Sequence, residues 1–388
     1  MGSHYGSLRG RKNTPGPHHE LFGTRLANPN RMRIMTSWLL ALVGFVIPLA
    51  AVATVPASTE GIYTIPSFHF HDGETLANLR MHYVTLGTPR RDAAGHVTNA
   101  VVILHGTGGD AYQFLSERFA GVLFNPGQLL DAHRYFIVIP DGIGHGGSSK
   151  PSDGLHARFP KYGYRDMVDA VHGVLVDGLH VDHLRLVLGT SMGGMQTWLW
   201  GEMYPTMMDA LLPLASLPQQ IGGRNRIWRD MIVDDIKDDP AYLGGEYRTQ
   251  PYGMRSAIDL LYVFGSAPLY NQSLYPTRDA ADAYYERTIK PRITSFDAND
   301  TIYQFESSRD YDPEPGLGTI VAPLQAINSA DDQINPPELG ILERDITRVK
   351  NGKAVVLPIS SETRGHGTHT LPAIWSPYLA DLLARSAR

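Results

Sequence analysis

The sequence contains no cysteine among its 388 residues. This absence excludes disulfide bonds, metal sites built on thiolates, a cysteine nucleophile and a lipid anchor carried by cysteine. The remaining composition is that of an ordinary globular protein, because 43% of the residues are hydrophobic and 19% are charged. Aromatic and aliphatic residues occur all along the chain, so a long disordered protein is not expected.

The sequence also lacks an apolar run of the about 20 residues that a membrane-spanning helix needs. Its main apolar run, residues 38–53, is about 16 residues long and is interrupted by a proline. Two arginines precede this run, and small-x-small cleavage patterns end at Ala53 and Ala57. We therefore expect residues 1–57 to comprise a disordered leader and a signal peptide at about 32–57. This predicts a secreted or periplasmic protein with no stable membrane insertion once the signal is removed; an uncleaved anchor is the alternative.

An excess of basic residues is missing as well. The whole chain carries 34 Lys and Arg against 39 Asp and Glu, a net charge of −5. Residues 1–57 contain six of the basic residues and one of the acidic residues, so the remaining chain has a net charge of −10. No basic stripe remains to attract a phosphate backbone, which argues against nucleic acid as a partner.

Short apolar stretches alternate with longer amphipathic stretches after residue 58. An alternating stretch at 79–87 is typical of a half-buried strand, and six further stretches resemble buried parallel strands. These six are residues 99–106, 135–142, 184–191, 210–216, 321–329 and 354–360. Helical patterns cover residues 164–179, 192–205 and 371–385. The alternation predicts the α/β class, with a mostly parallel sheet covered by helices on both faces.

Residues 217–320 break this alternation, because they are rich in charged and aromatic residues and show no clear buried strand. A span of about a hundred residues between two strands is too long for a loop. We therefore expect a helical lid at 217–320, inserted into an α/β core formed by 58–216 and 321–388. Five aromatic residues either shape an acyl pocket or form the lid's own core: Trp228, Tyr242, Tyr252, Tyr262 and Phe264.

The stretch Gly189-Thr190-Ser191-Met192-Gly193 lies between a predicted strand and a predicted helix. G-x-S-x-G in that setting is typical of a nucleophile elbow, in which a strained turn holds the serine hydroxyl out from the edge of the sheet. A side chain at either glycine would crowd the neighbouring strand and helix. Ser191 is therefore the candidate nucleophile, and a serine in an ordinary tight turn is the alternative.

A serine hydroxyl needs a base and a group that orients the base, and in this kind of elbow an acid and then a histidine follow along the chain. Asp332 comes after the predicted strand at 321–329, and we favour it over its neighbour Asp331. His366 comes after the last predicted strand and is favoured over His369. A metal pair formed by the two histidines is disfavoured because no third ligand is obvious.

An oxyanion needs two backbone N–H donors. One is expected from Met192, directly after the nucleophile, and the other from Thr107 in the Gly-rich loop after an early strand; a simple Gly-rich turn is the alternative. Residues 142–147 match a G-x-G-x-x-G dinucleotide fingerprint, but the residues that follow cannot open a helix. We expect a loop at the mouth of the site there, and surface positions for His69 and His71.

Taken together, five motifs resemble the α/β-hydrolase superfamily: His-Gly-Thr-Gly-Gly at 105–109, Gly-His-Gly-Gly-Ser-Ser at 144–149, Gly-Thr-Ser-Met-Gly-Gly-Met-Gln at 189–196, Asp-x-Ile-x-Pro at 332–336 and Gly-His-Gly-Thr-His at 365–369. The stretches at 191–205 and 238–254 are similar to the homoserine O-acetyltransferase branch of that superfamily. The resemblance extends from about residue 60 to the end of the chain. It implies an eight-stranded sheet, a helical cap over the pocket and a catalytic triad of Ser191, Asp332 and His366.

The resemblance leaves the reaction open. The first hypothesis is a secreted serine hydrolase that cleaves a carboxylic ester or related acyl bond in a small-molecule substrate, without a metal or an organic cofactor. The alternatives are an O-acyltransferase of the homoserine O-acetyltransferase type and a non-catalytic hydrolase-fold binding protein. Two motifs differ from those of that branch. Gly106-Thr107 follows His105 where Ala-Leu is usual, and Gly367 follows His366 where Asp is usual. The oligomeric state is not predicted.

Overall fold

Eight strands form one sheet in the computed structural model, which describes residues 55–387. The strands are β1 (Ser58–His69), β2 (Thr75–Leu86), β3 (Ala100–Leu104), β4 (Phe136–Pro140), β5 (Leu186–Thr190), β6 (Leu211–Leu214), β7 (Leu324–Ser329) and β8 (Gly352–Leu357). Their spatial order is β1-β2-β4-β3-β5-β6-β7-β8. The β1–β2 and β2–β4 pairings are antiparallel, and all other pairings are parallel. The predicted α/β class with a mostly parallel eight-stranded sheet is confirmed.

Ten α-helices accompany the sheet within residues 55–387. They are α1 (Ala120–Leu123), α2 (Tyr164–Gly173), α3 (Met192–Met203), α4 (Gly223–Lys237), α5 (Met254–Gly265), α6 (Pro268–Leu274), α7 (Arg278–Tyr284), α8 (Ala298–Glu306), α9 (Ile341–Asp345) and α10 (Pro372–Arg385). The helices predicted at 164–179, 192–205 and 371–385 correspond to α2, α3 and α10.

The central strands β3, β4 and β5 are buried along their whole length, as continuous apolar runs in a parallel sheet should be. Successive side chains of β3 point to opposite faces. Val102 and Leu104 join the apolar layer that contains α2 and α3, whereas Val101 and Ile103 join the layer that contains α1 and α10. Helices therefore cover both faces, and the carboxyl ends of the strands are left to carry a site.

Residues 217–320, hereafter the cap, contribute no strand to the described structure and contain helices α4 to α8. An apolar cluster within the cap includes Trp228 and Tyr242, and Phe264 packs against it. The Tyr262 hydroxyl accepts a hydrogen bond from Asn271 of the cap at 3.0 Å, while Tyr252 is exposed. Most of the aromatic residues singled out in the sequence thus stabilise the cap itself.

Cap helix α8 is hydrogen-bonded to the core loops next to it. The Tyr303 hydroxyl donates to the carbonyl oxygen of Phe159 at 2.6 Å. Gln304 donates from Nε2 to the carbonyl oxygen of Gly144 at 2.9 Å. The second contact reaches the glycine-rich loop at 142–147, which contains turns and no helix.

Several sequence predictions fall at the amino-terminal end of the described residues. His69 ends β1, and His71 lies in the turn to β2, where its Nε2 lies 2.8 Å from Oδ2 of Asp169.

Within 55–387, no cluster of three metal-ligating side chains occurs, and no helix combines the length and apolar character needed to cross a bilayer. The predicted leader and signal peptide lie outside the described residues apart from 55–57, so secretion stays a prediction.

Candidate active site

Ser191 occupies a sharp turn between β5 and α3. Its backbone has φ 55° and ψ −113°, a conformation that costs a residue with a side chain about 1–3 kcal/mol. The two glycines of the motif make this turn possible. A Cβ at Gly189 would lie 1.9 Å from the carbonyl oxygen of Gly193, and a Cβ at Gly193 would lie 2.1 Å from that of Leu104 on β3. The predicted crowding of strand and helix at both glycines is confirmed.

A chain of two hydrogen bonds connects three side chains that are distant in the sequence. Nε2 of His366 lies 2.7 Å from the hydroxyl oxygen of Ser191, and Nδ1 lies 2.8 Å from Oδ2 of Asp332. A carboxylate accepts hydrogen bonds, so Nδ1 carries the proton and Nε2 is free to accept from the serine hydroxyl. The structure thus brings together the three residues that the sequence selected, in the arrangement of nucleophile, base and orienting acid.

Asp332 is 1% exposed and remains ionised. Burial alone would raise the pKa of this carboxyl group, but the neighbouring His366 and the backbone N–H groups of Asn335 and Ile334 outweigh burial. These interactions hold the pKa of Asp332 below its ordinary value. Oδ1 accepts from the Ile334 and Asn335 N–H groups at 2.8 and 3.0 Å, which leaves Oδ2 directed at the imidazole.

The two alternative residues have other contacts. Asp331 accepts hydrogen bonds from the hydroxyls of Ser329 and Thr363, and it thereby holds the loop that precedes His366. The ring of His369 packs edge-to-face on that of His366, with 5.3 Å between the centroids. Burial and the nearby His366 lower the pKa of His369 to about 3, so its ring is neutral.

The loop after β3 lies against the nucleophile. A Cβ at Gly106 would be 3.3 Å from Cβ of Ser191, so the peptide between Gly106 and Thr107 lies next to the serine. Met192 is the first residue of α3, and its N–H belongs to the helix N-terminal groups that have no partner within the helix. The two predicted oxyanion donors therefore flank Ser191.

Sequence reasoning missed a buried arginine, Arg229, on helix α4. It is 3% exposed, and its guanidinium lies 5.2 Å from the ring centroid of Trp228 and 5.5 Å from that of Phe305. Its guanidinium donates to Asn225 at 2.9 Å and to Ser308 at 3.3 Å, and no carboxylate pairs with it among residues 55–387. Burial lowers its pKa. The sequence contains a signal for this burial, because Arg229 lies on one face of helix α4 with positions 225, 232 and 236, which are mostly apolar.

Two buried hydroxyls, those of Tyr164 and Thr107, lie near this arginine. The Tyr164 hydroxyl lies close to Arg229 and to the Thr107 side chain. Neither it nor the Thr107 hydroxyl meets hydrogen-bond geometry with any described residue, although both atoms are buried. Unpaired polar groups are costly in a protein interior. The Arg229 guanidinium, the Tyr164 hydroxyl and the Thr107 side chain thus form a buried polar group next to the oxyanion loop.

Comparisons with known proteins identify the family of this chain. Residues 99–347 match the family model described as "alpha/beta hydrolase fold". A homoserine O-acetyltransferase of Moorella thermoacetica is 30% identical, over 81% of this chain and 94% of that protein. A probable acyltransferase of Methanothermobacter thermautotrophicus is 29% identical, over 74% of this chain and 85% of that protein.

Solved structures give the same fold. Esterase E22 aligns with a TM-score of 0.72 at 19% identity, covering 84% of this chain and all of that chain (100%). The homoserine O-acetyltransferase from Bacillus anthracis aligns with a TM-score of 0.71 at 20% identity, covering 84% and 97%. These relatives are esterases and acyltransferases, and the protein is an enzyme of this acyl-transferring kind. The chain belongs to the α/β-hydrolase fold superfamily, in the branch that contains the homoserine O-acetyltransferases.

Proposed function

We propose that the protein is a serine hydrolase that cleaves a carboxylic ester through an acyl-enzyme on Ser191. The hydrogen-bonded chain from Asp332 through His366 to Ser191, at 2.8 and 2.7 Å, carries this proposal. It meets the requirement that a serine nucleophile be activated by an oriented base. No metal or organic cofactor is needed for these steps.

In the proposed mechanism, Ser191 Oγ attacks the ester carbonyl carbon while His366 Nε2 takes the hydroxyl proton. The Met192 and Thr107 N–H groups stabilise the negative charge that develops on the carbonyl oxygen. His366 then returns the proton to the leaving alkoxide as the C–O bond breaks. A water molecule then attacks the carbonyl carbon of the acyl-enzyme while His366 Nε2 takes its proton. His366 returns the proton to Ser191 Oγ as the acyl C–O bond breaks, which releases the acid and restores the serine. Ionised Asp332 stabilises the imidazolium in both halves.

Hydrolysis is favoured over transfer by the surroundings of His366. Transfer to an amino-acid acceptor such as homoserine requires a group that holds the acceptor's ammonium. The residue after His366 is Gly367, which has no side chain to do this. The adjacent carboxylates of Asp331 and Asp332 are already occupied by hydroxyl, imidazole and backbone donors.

Acyl transfer is the second candidate, because Arg229 offers a buried cation without a carboxylate partner. A buried charge is strongly stabilised by an oppositely charged group, and an acceptor with a carboxylate would supply one. Incubation with acetyl-CoA and homoserine separates the two reactions. A hydrolase releases free acetate regardless of homoserine, whereas a transferase forms O-acetylhomoserine in its place.

The direct test of the proposal is Ser191→Ala with p-nitrophenyl acyl esters and a fluorophosphonate probe. We expect the wild-type protein to turn over the esters and to be labelled covalently. The variant should unfold at the wild-type temperature. Its ester turnover should be reduced by about 10⁴-fold or more, and the probe should not label it. Undiminished turnover in the variant would refute the role of Ser191. Absence of labelling in the wild-type protein would favour a non-catalytic binding protein.

A further inference from the structure

We propose that His105 is a positioning residue that sets the direction of the Thr107 N–H, the second oxyanion donor. This inference rests on the proposed function, because the donor matters only if a tetrahedral intermediate forms on Ser191. His105 directly follows β3 and is 2% exposed. Its side chain forms no hydrogen bond with Ser191. Its hydrogen-bond partners are backbone groups of two loops at the rim of the sheet.

The hydrogen bonds of His105 define its tautomer. The backbone N–H of Gly142 donates to Nε2 at 2.9 Å, so Nε2 carries no proton. The proton of the neutral ring is therefore on Nδ1, which donates to the carbonyl oxygen of Gly106 at 2.9 Å. Only this one tautomer satisfies both contacts.

The Gly106 carbonyl belongs to the peptide whose N–H is that of Thr107. In a planar trans peptide the C=O and the N–H point in opposite directions. The Gly106 oxygen accepts from His105 Nδ1 and from the Gly109 N–H, the latter at 3.0 Å. Two donors on the oxygen fix the plane of the peptide, and they therefore fix the direction in which the Thr107 N–H points. They also polarise the peptide, which makes this N–H a stronger donor.

The imidazole is held in its neutral form. Burial lowers the pKa of His105 and outweighs the Gly106 carbonyl and the carboxylates of Asp141 and Asp110, which act to raise it. The ring also packs against that of His145, with 4.9 Å between centroids. A proton on Nε2 would face the Gly142 N–H, so two donors would oppose each other. The neutral ring thus links the loop at 142–147 to the oxyanion loop.

Two substitutions separate the two hydrogen bonds of His105. His105→Asn places an amide N–H where Nδ1 lies and keeps a donor for the Gly106 carbonyl. His105→Gln places an amide oxygen near Nε2 and keeps an acceptor for the Gly142 N–H. Loss of one oxyanion donor costs about 10²–10³ in kcat. We expect His105→Gln to lose about 10–100-fold in kcat with KM within about twofold, and His105→Asn to stay within about fivefold of wild type.

A transition-state analogue tests whether the loss is in oxyanion stabilisation. An alkyl trifluoromethyl ketone adds to Ser191 Oγ and forms a tetrahedral oxyanion. Its inhibition constant should rise in His105→Gln by the same factor by which kcat/KM falls. Thermal unfolding of both variants serves as the control for general damage. Equal loss of kcat in the two variants, or an unchanged inhibition constant in His105→Gln, overturns the inference.

The tautomer can be measured independently of activity. In protein labelled with ¹⁵N-histidine, long-range ¹H–¹⁵N correlation should show Nδ1–H imidazoles for His105, His145 and His366, and the signal that disappears in His105→Asn belongs to His105. A signal from His105 of the Nε2–H type overturns the inference even in an active enzyme. Conversely, an Nδ1–H signal assigned to His105 in a wild-type protein that neither hydrolyses esters nor reacts with fluorophosphonate would disprove the proposed function while leaving this hydrogen-bond geometry in place.

Discussion

Replacement of Asp332 by asparagine should remove most ester hydrolysis by reversing the tautomer of His366. Oδ1 of Asp332 accepts two backbone N–H groups, from Ile334 at 2.8 Å and Asn335 at 3.0 Å. In the variant, the amide oxygen should stay with these two donors, because turning the NH₂ group toward them would leave both unsatisfied at about 1–3 kcal/mol each. The amide nitrogen then faces the imidazole and donates to Nδ1.

This orientation has a calculable consequence for the rate. With Nδ1 as acceptor, the proton of the His366 ring moves to Nε2, so the Ser191 hydroxyl has no base to accept its proton. We expect kcat for p-nitrophenyl acetate to fall by about 10⁴-fold, equivalent to about 5.4 kcal/mol of transition-state stabilisation, with little change in KM.

The matched control is the neighbouring carboxylate. Asp331 accepts from hydroxyls of Ser329 and Thr363, and the oxygen of an asparagine can still accept such a bond. Asp331→Asn should therefore lose less than about tenfold in kcat. The reasoning fails if Asp332→Asn keeps more than about a tenth of the wild-type kcat, or if Asp331→Asn loses as much as Asp332→Asn.

Two further substitutions test the packing and the electrostatics around the site. Gly193→Ala places a Cβ 2.1 Å from the carbonyl oxygen of Leu104, whereas at the control position Gly222 a Cβ meets no atom within 4 Å. We expect Gly193→Ala to lower the free energy of unfolding in urea by about 1–3 kcal/mol and to reduce ester turnover, and Gly222→Ala to do neither. Equal behaviour of Gly193→Ala and Gly222→Ala would contradict the steric argument. Burial and the nearby His105 lower the pKa of His145 to about 3. Between about pH 6.5 and 3 this side chain binds a proton in the unfolded chain and none in the folded chain, so His145 by itself lowers stability by about 1.4 kcal/mol per pH unit as the pH drops, in addition to the contribution of buried His369. His145→Asn, whose amide can still donate to the Ile143 carbonyl, should reduce the measured slope by that amount, and an unchanged slope would show that His145 does not contribute to it.

The convergence of the site could be predicted because it follows from topology. Ser191 and Asp332 follow β5 and β7, and His366 lies in the loop that follows β8; these strands are parallel members of one sheet. Loops at the carboxyl ends of parallel strands meet at the same edge, so three residues from distant parts of the chain reach one another. The apolar runs and the G-x-S-x-G motif are sufficient to locate those strand ends.

Strand β1 could not be predicted with the same ease. Its residues alternate between exposed and half-buried positions, and it contains Gly61 and Pro66, which both weaken a strand pattern. Its stability comes from antiparallel pairing with β2 along almost its whole length. Such pairing is a tertiary property that the local sequence does not contain.

The direction of individual side chains also lies beyond the sequence. Asp331 and Asp332 are adjacent and chemically identical, and the pattern around them favours Asp332 only weakly. In the structure the backbone N–H groups of Ile334 and Asn335 hold Asp332 toward His366, while Thr363 holds Asp331. The difference depends on contacts with a loop about 30 residues later in the chain.

Buried polar residues near the site differ in how many hydrogen bonds they form with the surrounding loops. Asp141 follows β4 and is completely buried, yet each of its oxygens has donors: Ala111 N–H on Oδ1, and His82 Nδ1 and Gly147 N–H on Oδ2, all at 2.7 Å. Such a residue is held by the surrounding loops through both of its oxygens. The buried hydroxyl of Tyr164, by contrast, lies close to the Arg229 guanidinium and the Thr107 side chain without meeting hydrogen-bond geometry with either. Both are buried polar residues, and the sequence alone does not distinguish them, because the donors that hold Asp141 come from distant parts of the chain.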